Sequence, residues 1–155
     1  MIPTNSAQFP TRQTSPFGIP LLVRIGLVAL GALLLTLLAT AAVLQPDQRG
    51  YGTHRQLGLP PCTFQTLAGV RCPSCGMTTA WAHLMRGQFA SAMAANVGGV
   101  ALGIAAAGLG PWMLVSGIRG WWFWGRPRES VAVAVTAGIV AVTLADWVVR
   151  IIFTR

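Results

Sequence analysis

The sequence contains no lysine, and its only acidic residues are Asp47, Glu129 and Asp146. Its formal charge of +8 therefore rests on eleven arginines. These stand singly between apolar runs and form no basic stripe with interleaved aromatics, so no nucleic-acid partner is expected; membrane lipid phosphates are the natural counter-charge. With 9% charged and 54% hydrophobic residues, the chain is too poor in charge for a soluble domain of 155 residues. It also lacks a Ser-His-Asp set, a carboxylate pair and a phosphate-cradling glycine loop, which removes support for hydrolase or kinase chemistry. Cysteine is scarce and odd in number, three in all, so a disulfide framework closed within the chain is excluded. At least one thiol stays free, binds a metal or pairs with another chain.

What remains is apolar sequence divided by one long polar stretch. Residues 1–18 are rich in Pro, Ser, Thr and Gln and read as a disordered polar tail. Residues 19–45 contain twenty uncharged positions from Ile25 to Leu44, enough to cross a hydrocarbon core of about 30 Å, with Arg24 placed to snorkel at one end. Ala39-Thr40-Ala41 resembles a signal-peptide cleavage site, but the apolar run continues to Leu44, and retention is expected. Residues 46–77 hold all three cysteines, punctuated into turns by Gly and Pro. Residues 78–95 suit an amphipathic helix, interfacial or re-entrant, with Trp81, Leu84, Met85, Phe89 and Met93 on one stripe.

A second span is expected at 97–118, with Gly99 and Gly103 in a GxxxG spacing and a kink at Gly110-Pro111. Residues 119–130 form a basic and aromatic loop whose Trp121, Trp122, Phe123 and Trp124 suit the headgroup level. The third span, 131–153, offers a small-residue face of Ala134, Ala137, Gly138 and Ala141, suited to homo- or hetero-oligomer contacts. It also carries Asp146 four residues before Arg150, an internal ion pair on one helix face. Arginine counts on the two sides nearly tie, so the positive-inside rule leaves the orientation of the cysteine loop open.

Cys72-Pro73-Ser74-Cys75-Gly76 is the chemical centre of the sequence. Two thiolates in one tight turn, with Cys62 across a nine-residue loop, give three ligands of a zinc site. The fourth is either His83, in the following helix, or His54. Such a Cys62, Cys72, Cys75, His83 site would staple a loop too polar to form a core, in a structural or scaffold role rather than a catalytic one. The same residues also fit a thiol–disulfide pair, Cys72 and Cys75, acidified by the helix that follows. A third reading is a metal-free structural role. In a three-span arrangement the end of the last span emerges beside the cysteine loop, and Asp146, Trp147 and Arg150 are expected to line the floor of the site.

At these residues the chain resembles an uncharacterised family of small bacterial membrane proteins with a Cys-Pro-x-Cys-Gly-x-Thr-Arg-Ala signature. The positions that carry the resemblance are Cys62, Gly69, Cys72, Pro73, Cys75, Gly76, Thr78, Ala80, Gly87, Ala92 and Asn96, all between 58 and 100. Thr79 stands where that family usually has Arg, and Val97 where it usually has Pro. The resemblance implies a multi-pass protein of the bacterial inner membrane with a few helices around the motif, and no activity. The expected fold is an all-α membrane protein of three transmembrane helices and one interfacial or re-entrant helix.

Overall fold

A computed structural model describes residues 18–153. The expected polar tail lies outside these residues apart from Gly18, as does Arg155. The protein is all-helical, with no strand among the described residues. Three helices are long and apolar enough to cross a membrane: α1 (Leu21–Val43), α5 (Val97–Arg119) and α6 (Glu129–Phe153). At 1.5 Å per residue, 23 residues reach about 34 Å, the thickness of a hydrocarbon core. In α6 no residue is buried, yet the helix has a hydropathy of 2.0, as suits a helix bathed in lipid. Thr36, Thr40, Thr136 and Thr143 each donate a hydroxyl hydrogen bond to the carbonyl four residues earlier, which removes their cost in an apolar medium.

Helices α1 and α5 pack closely because glycine opens the contact. A Cβ on Gly31 would lie 2.8 Å from the Gly110 carbonyl oxygen, and one on Gly117 would lie 2.7 Å from Val28 Cγ2. At the same end, Arg24 donates to the Gly117 and Ile118 carbonyls, both at 3.0 Å. Arg24 thereby caps α5, whose last carbonyls lack helical partners and carry the negative end of its dipole. The helix continues through Pro111. Beyond Gly120 the aromatic turn folds back, with Trp112 stacked on Trp122 at 5.8 Å and Arg119 over the rings of Trp121 and Phe123.

The polar segment after α1 contains a 3-10 turn (Thr53–Leu57) and a short α2 (Thr63–Ala68). The single helix expected over 78–95 is instead a hairpin of α3 (Met77–Leu84) and α4 (Phe89–Ala95), reversed at Gly87 with φ +69°. Glycine enters this left-handed conformation without the clash a Cβ would bring. The hairpin descends alongside α5 and returns: Ala80 meets Gly99, Leu84 and Trp81 meet Gly103, and Ala95 comes back beside Gly76. The GxxxG pair therefore seats α3, a neighbour within the same chain. Ala80, Leu84, Ala92, Ala95 and Val100 form one core cluster, and Leu38, Ala41, Trp81 and Ala106 another. Trp81 is the joint between them, its indole N–H donating to the Gly99 carbonyl at 2.7 Å. That bond matters because a buried indole donor left unpaired would oppose its burial.

Candidate functional site

The turn carrying Cys72 and Cys75 is built by local bonds and fixed from two sides. The Cys75 amide donates to the Cys72 carbonyl at 3.0 Å, and the Met77 amide to the Ser74 carbonyl at 3.1 Å. Gly76 closes the turn at φ +87° and serves as the N-cap of α3. From below, Asn96 reaches in: its side-chain NH2 donates to the Pro73 carbonyl at 3.1 Å and the Cys75 carbonyl at 3.0 Å. Its amide oxygen meanwhile accepts from the Gly99 amide at 2.6 Å and so caps α5. One buried side chain thereby satisfies three backbone groups and couples the thiol turn to a spanning helix.

Beside the turn, Thr53 and Thr79 are both fully buried and share a hydroxyl hydrogen bond of 2.8 Å, and the Asp47 amide donates to Thr53 at 3.0 Å. This chain of bonds ties the start of α3 to the end of α1. It also gives Thr79, the position where the resembling family has Arg, a packing role.

The thiols differ in setting. Cys62 directly precedes α2, where the amides of Gln65 and Phe64 approach its sulfur, while Cys72 comes from the other arm of the loop. The two sulfurs are 3.5 Å apart, and Cys72 also meets the Ser74 hydroxyl at 3.4 Å. The Gln65 amide foremost, and then the Cys72 thiol, hold the Cys62 pKa below the ordinary thiol value. Cys75 is the reverse: burial pushes its thiol up, the neighbouring sulfur of Cys72 adds to this, and the charge of Arg71 opposes it. The pair brought into contact is thus Cys62 with Cys72, across ten residues, rather than the adjacent Cys72 and Cys75 of the motif.

All three cysteines border one cavity of about 520 Å³. Its apolar wall includes Leu37 and Ala41 of α1, Leu44 just beyond that helix, and Met77 and Trp81 of α3, and Tyr51, His54 and Arg55 also border it. His54 thus shares the cavity with the thiols, its Nε2 lying 3.3 Å from the Pro60 carbonyl. His83 does not border it. Helix α3 carries His83 about 10 Å away from the thiol turn, and its Nδ1 meets Gln88 Oε1 at 2.6 Å across the hairpin turn. Among the described residues no group of three His, Cys, Asp or Glu side chains stands ready to hold a metal ion, so the expected set of Cys62, Cys72, Cys75 and His83 is not assembled.

From α6, Trp147 reaches the cysteine loop, while Asp146 and Arg150 reach the junction of α4 and α5. The Trp147 indole donates to the Arg71 carbonyl at 2.6 Å, Arg150 to the Ala95 carbonyl at 2.5 Å, and Asp146 accepts from the Val97 amide at 3.4 Å. Asp146 and Arg150 form the ion pair expected from their spacing, at 2.9 Å. Trp147 and Arg150 border a second, smaller cavity of about 270 Å³ with Tyr51 and Arg71, and none of Asp146, Trp147 and Arg150 borders the cysteine cavity. Tyr51, Thr53 and Gln65 have no role in the sequence reading, and Asn96 stands there as a position of the family resemblance beside the second span, not as a cap. The residue types that favour caps and turns were the available signal for Thr53 and Asn96.

A family model described as a protein of unknown function (DUF2752) matches residues 62–110. The matched segment begins at Cys62 and takes in the thiol turn, the α3–α4 hairpin and the first part of α5, so the chain is similar to an uncharacterised family over the site itself. No curated protein and no solved structure matches the chain.

Proposed function

We propose that this multi-pass membrane protein is a thiol–disulfide protein in which Cys62 and Cys72 pass between dithiol and disulfide at the mouth of the apolar cavity. The observation that carries this reading is the 3.5 Å approach of the two sulfurs from separate arms of the loop. A shift of about 1.5 Å brings that distance to a covalent S–S length, which is within the reach of side-chain rotation in a loop of turns. The lowered pKa of Cys62 supports it, because the thiolate is the species that attacks a disulfide or other oxidant. Cys75, with its raised pKa, is the spectator. The motif resemblance is what supports a bacterial inner membrane as the setting.

The test is differential alkylation and mass spectrometry of the detergent-purified chain across a redox titration. A reversible Cys62–Cys72 disulfide is the expected product. Thiols that keep one oxidation state throughout, or a Cys72–Cys75 bond in its place, would overturn the reading.

A second reading, structural zinc, is favoured by one observation: His54 and all three thiols border the same cavity. It requires these four groups to turn inward on a bound ion, with His54 in the place first given to His83. One equivalent of zinc in the purified chain, lost in Cys62→Ser and in His54→Ala and kept in His83→Ala, is its signature. Equal near-zero zinc in all of them removes it.

A further inference from the structure

The cavity next to the thiols has a form that a soluble oxidant does not need. Leu37, Ala41 and Leu44 lie near the end of a spanning helix, and Leu37 is 44% exposed although it lines the cavity. Leu57 and Leu59, on the loop side of the same cavity, are 49% and 51% exposed. The wall therefore carries apolar side chains open to the surroundings beside the end of a spanning helix. A volume of about 520 Å³ lies within the usual range of roughly 300–1,000 Å³ for small-molecule sites. Among the residues that share the cavity with the thiols, Tyr51, His54 and Arg55 supply hydrogen-bond donors. A ligand that fits this lining has an apolar body delivered from lipid and a head that accepts hydrogen bonds beside the sulfurs.

We propose that the cavity binds a lipid-soluble quinone, and that this quinone is the electron acceptor of the Cys62/Cys72 pair. The proposal rests on the thiol–disulfide reading above and names its co-reactant. The chemistry balances. Two S–H groups yield one S–S bond, two protons and two electrons; the quinone takes both electrons, and its two carbonyl oxygens take both protons and become hydroxyls. No water, metal or further oxidant is consumed. Cys62, the more acidic thiol, supplies the thiolate that starts the step, and Cys72 closes the bond at 3.5 Å. A ring seated against Met77 and Trp81 stacks on apolar side chains, while its carbonyls turn to Tyr51, His54 and Arg55. Charged or phosphorylated oxidants, by contrast, would have to desolvate against Leu37 and Leu44.

The test uses the full chain in liposomes, reduced with dithiothreitol, freed of reductant and kept anaerobic. A short-tailed benzoquinone or naphthoquinone is added, and quinol formation is followed by absorbance while the disulfide is counted by differential alkylation. One quinol per Cys62–Cys72 disulfide is expected, lost in Cys62→Ser and Cys72→Ser. Leu37→Trp should fill the cavity from its lipid side and slow quinone reduction at least tenfold. Leu33→Trp, on an exposed position of α1 outside the cavity, should leave it unchanged.

Diamide, a small soluble oxidant, is run in parallel and should oxidise the pair equally in the native chain, Leu37→Trp and Leu33→Trp, which also shows that the variants are folded. If diamide forms the Cys62–Cys72 bond but the quinone is not reduced, or is reduced equally by Leu37→Trp, the quinone site is refuted and the thiol–disulfide reading stands. If diamide forms no such bond, both fall together.

Discussion

Gly76 lies directly against Ala95: a Cβ on Gly76 would sit 2.5 Å from the Ala95 carbonyl oxygen, and 2.6 Å from that of Gly50. The thiol turn, the returning end of the hairpin and the polar loop after α1 therefore meet at one point that has room for no side chain. Gly76→Ala must both strain φ +87° and push two backbone segments apart, at a cost of about 2–3 kcal/mol. Gly58 has φ +77° but open space around it, so Gly58→Ala carries the conformational strain alone, about 1 kcal/mol. Thermal unfolding in detergent should rank the two in that order. Cys62–Cys72 bond formation by diamide should also slow in Gly76→Ala and hold its rate in Gly58→Ala.

The opposite pKa displacements of Cys62 and Cys75 give an order of reactivity. A thiol is alkylated through its thiolate, whose fraction rises with pH through the pKa and then levels off. Amides facing Cys62 bring that plateau to lower pH, and burial moves the plateau of Cys75 to higher pH. With iodoacetamide at neutral pH, Cys62 should be modified several-fold faster than Cys75, and site-resolved mass spectrometry across pH should place the Cys62 midpoint first. A Cys75 midpoint below that of Cys62 would contradict the assignment of Cys62 as the attacking thiol.

How much of this was open to reading from sequence depended on the range of the interactions involved. The three long apolar helices follow from run length alone, because a helix satisfies its own backbone in lipid and needs no partner to be recognised. The Asp146–Arg150 pair was likewise legible, being set by a spacing of four on one helix. The thiol pairing was not. The motif brings Cys72 and Cys75 together in sequence, but the contact with Cys62 depends on how α2 and its flanking turns fold back, and no periodicity encodes that. His83 is not a thiol neighbour because α3 carries it about 10 Å from the thiol turn, and there it meets Gln88 from beyond the Gly87 reversal. The Val97 position is instructive in another way. Proline there, as in the resembling family, would have no amide, whereas valine has one and donates it to Asp146.

Asp47 sets an acid limit on the loop between α1 and the thiols. Its carboxylate takes hydrogen bonds from the Arg49 side chain, at 2.7 and 3.0 Å, and from the Arg49 amide at 3.0 Å, which hold its pKa at about 2, below the ordinary 3.8. A carboxyl whose pKa is lowered by folding stabilises the folded state above its unfolded value, and that contribution disappears as pH falls through the folded one. Ordering of this loop should therefore weaken between pH 3.8 and about 2. Hydrogen exchange of the Gly50 and Thr53 region should report the change. Asp47→Asn should flatten the response, and high salt should reduce its amplitude, since Arg49 is 55% exposed.

The contacts of α6 with the rest of the chain predict what happens when the Asp146 carboxylate is removed. Asp146 neutralises Arg150 at 2.9 Å and accepts from the Val97 amide, while Arg150 donates onward to the Ala95 carbonyl, the same group that lies against Gly76. Asp146→Ala deletes both of the carboxylate's interactions, the ion pair with Arg150 and the bond from the Val97 amide, at a cost of about 2–4 kcal/mol. Asp146→Asn keeps an acceptor for Val97 and should cost less, and Asp146→Ala/Arg150→Ala, which also removes the bond to the Ala95 carbonyl, should cost more. Limited proteolysis and thermal unfolding of the three variants measure the order. The mechanical consequence is separable from stability: with Trp147 still bonded to the Arg71 carbonyl, Cys72 stays anchored, and the diamide rate of the Cys62–Cys72 pair should change less than the melting temperature. Trp147→Phe, which deletes that one donor, should do the opposite.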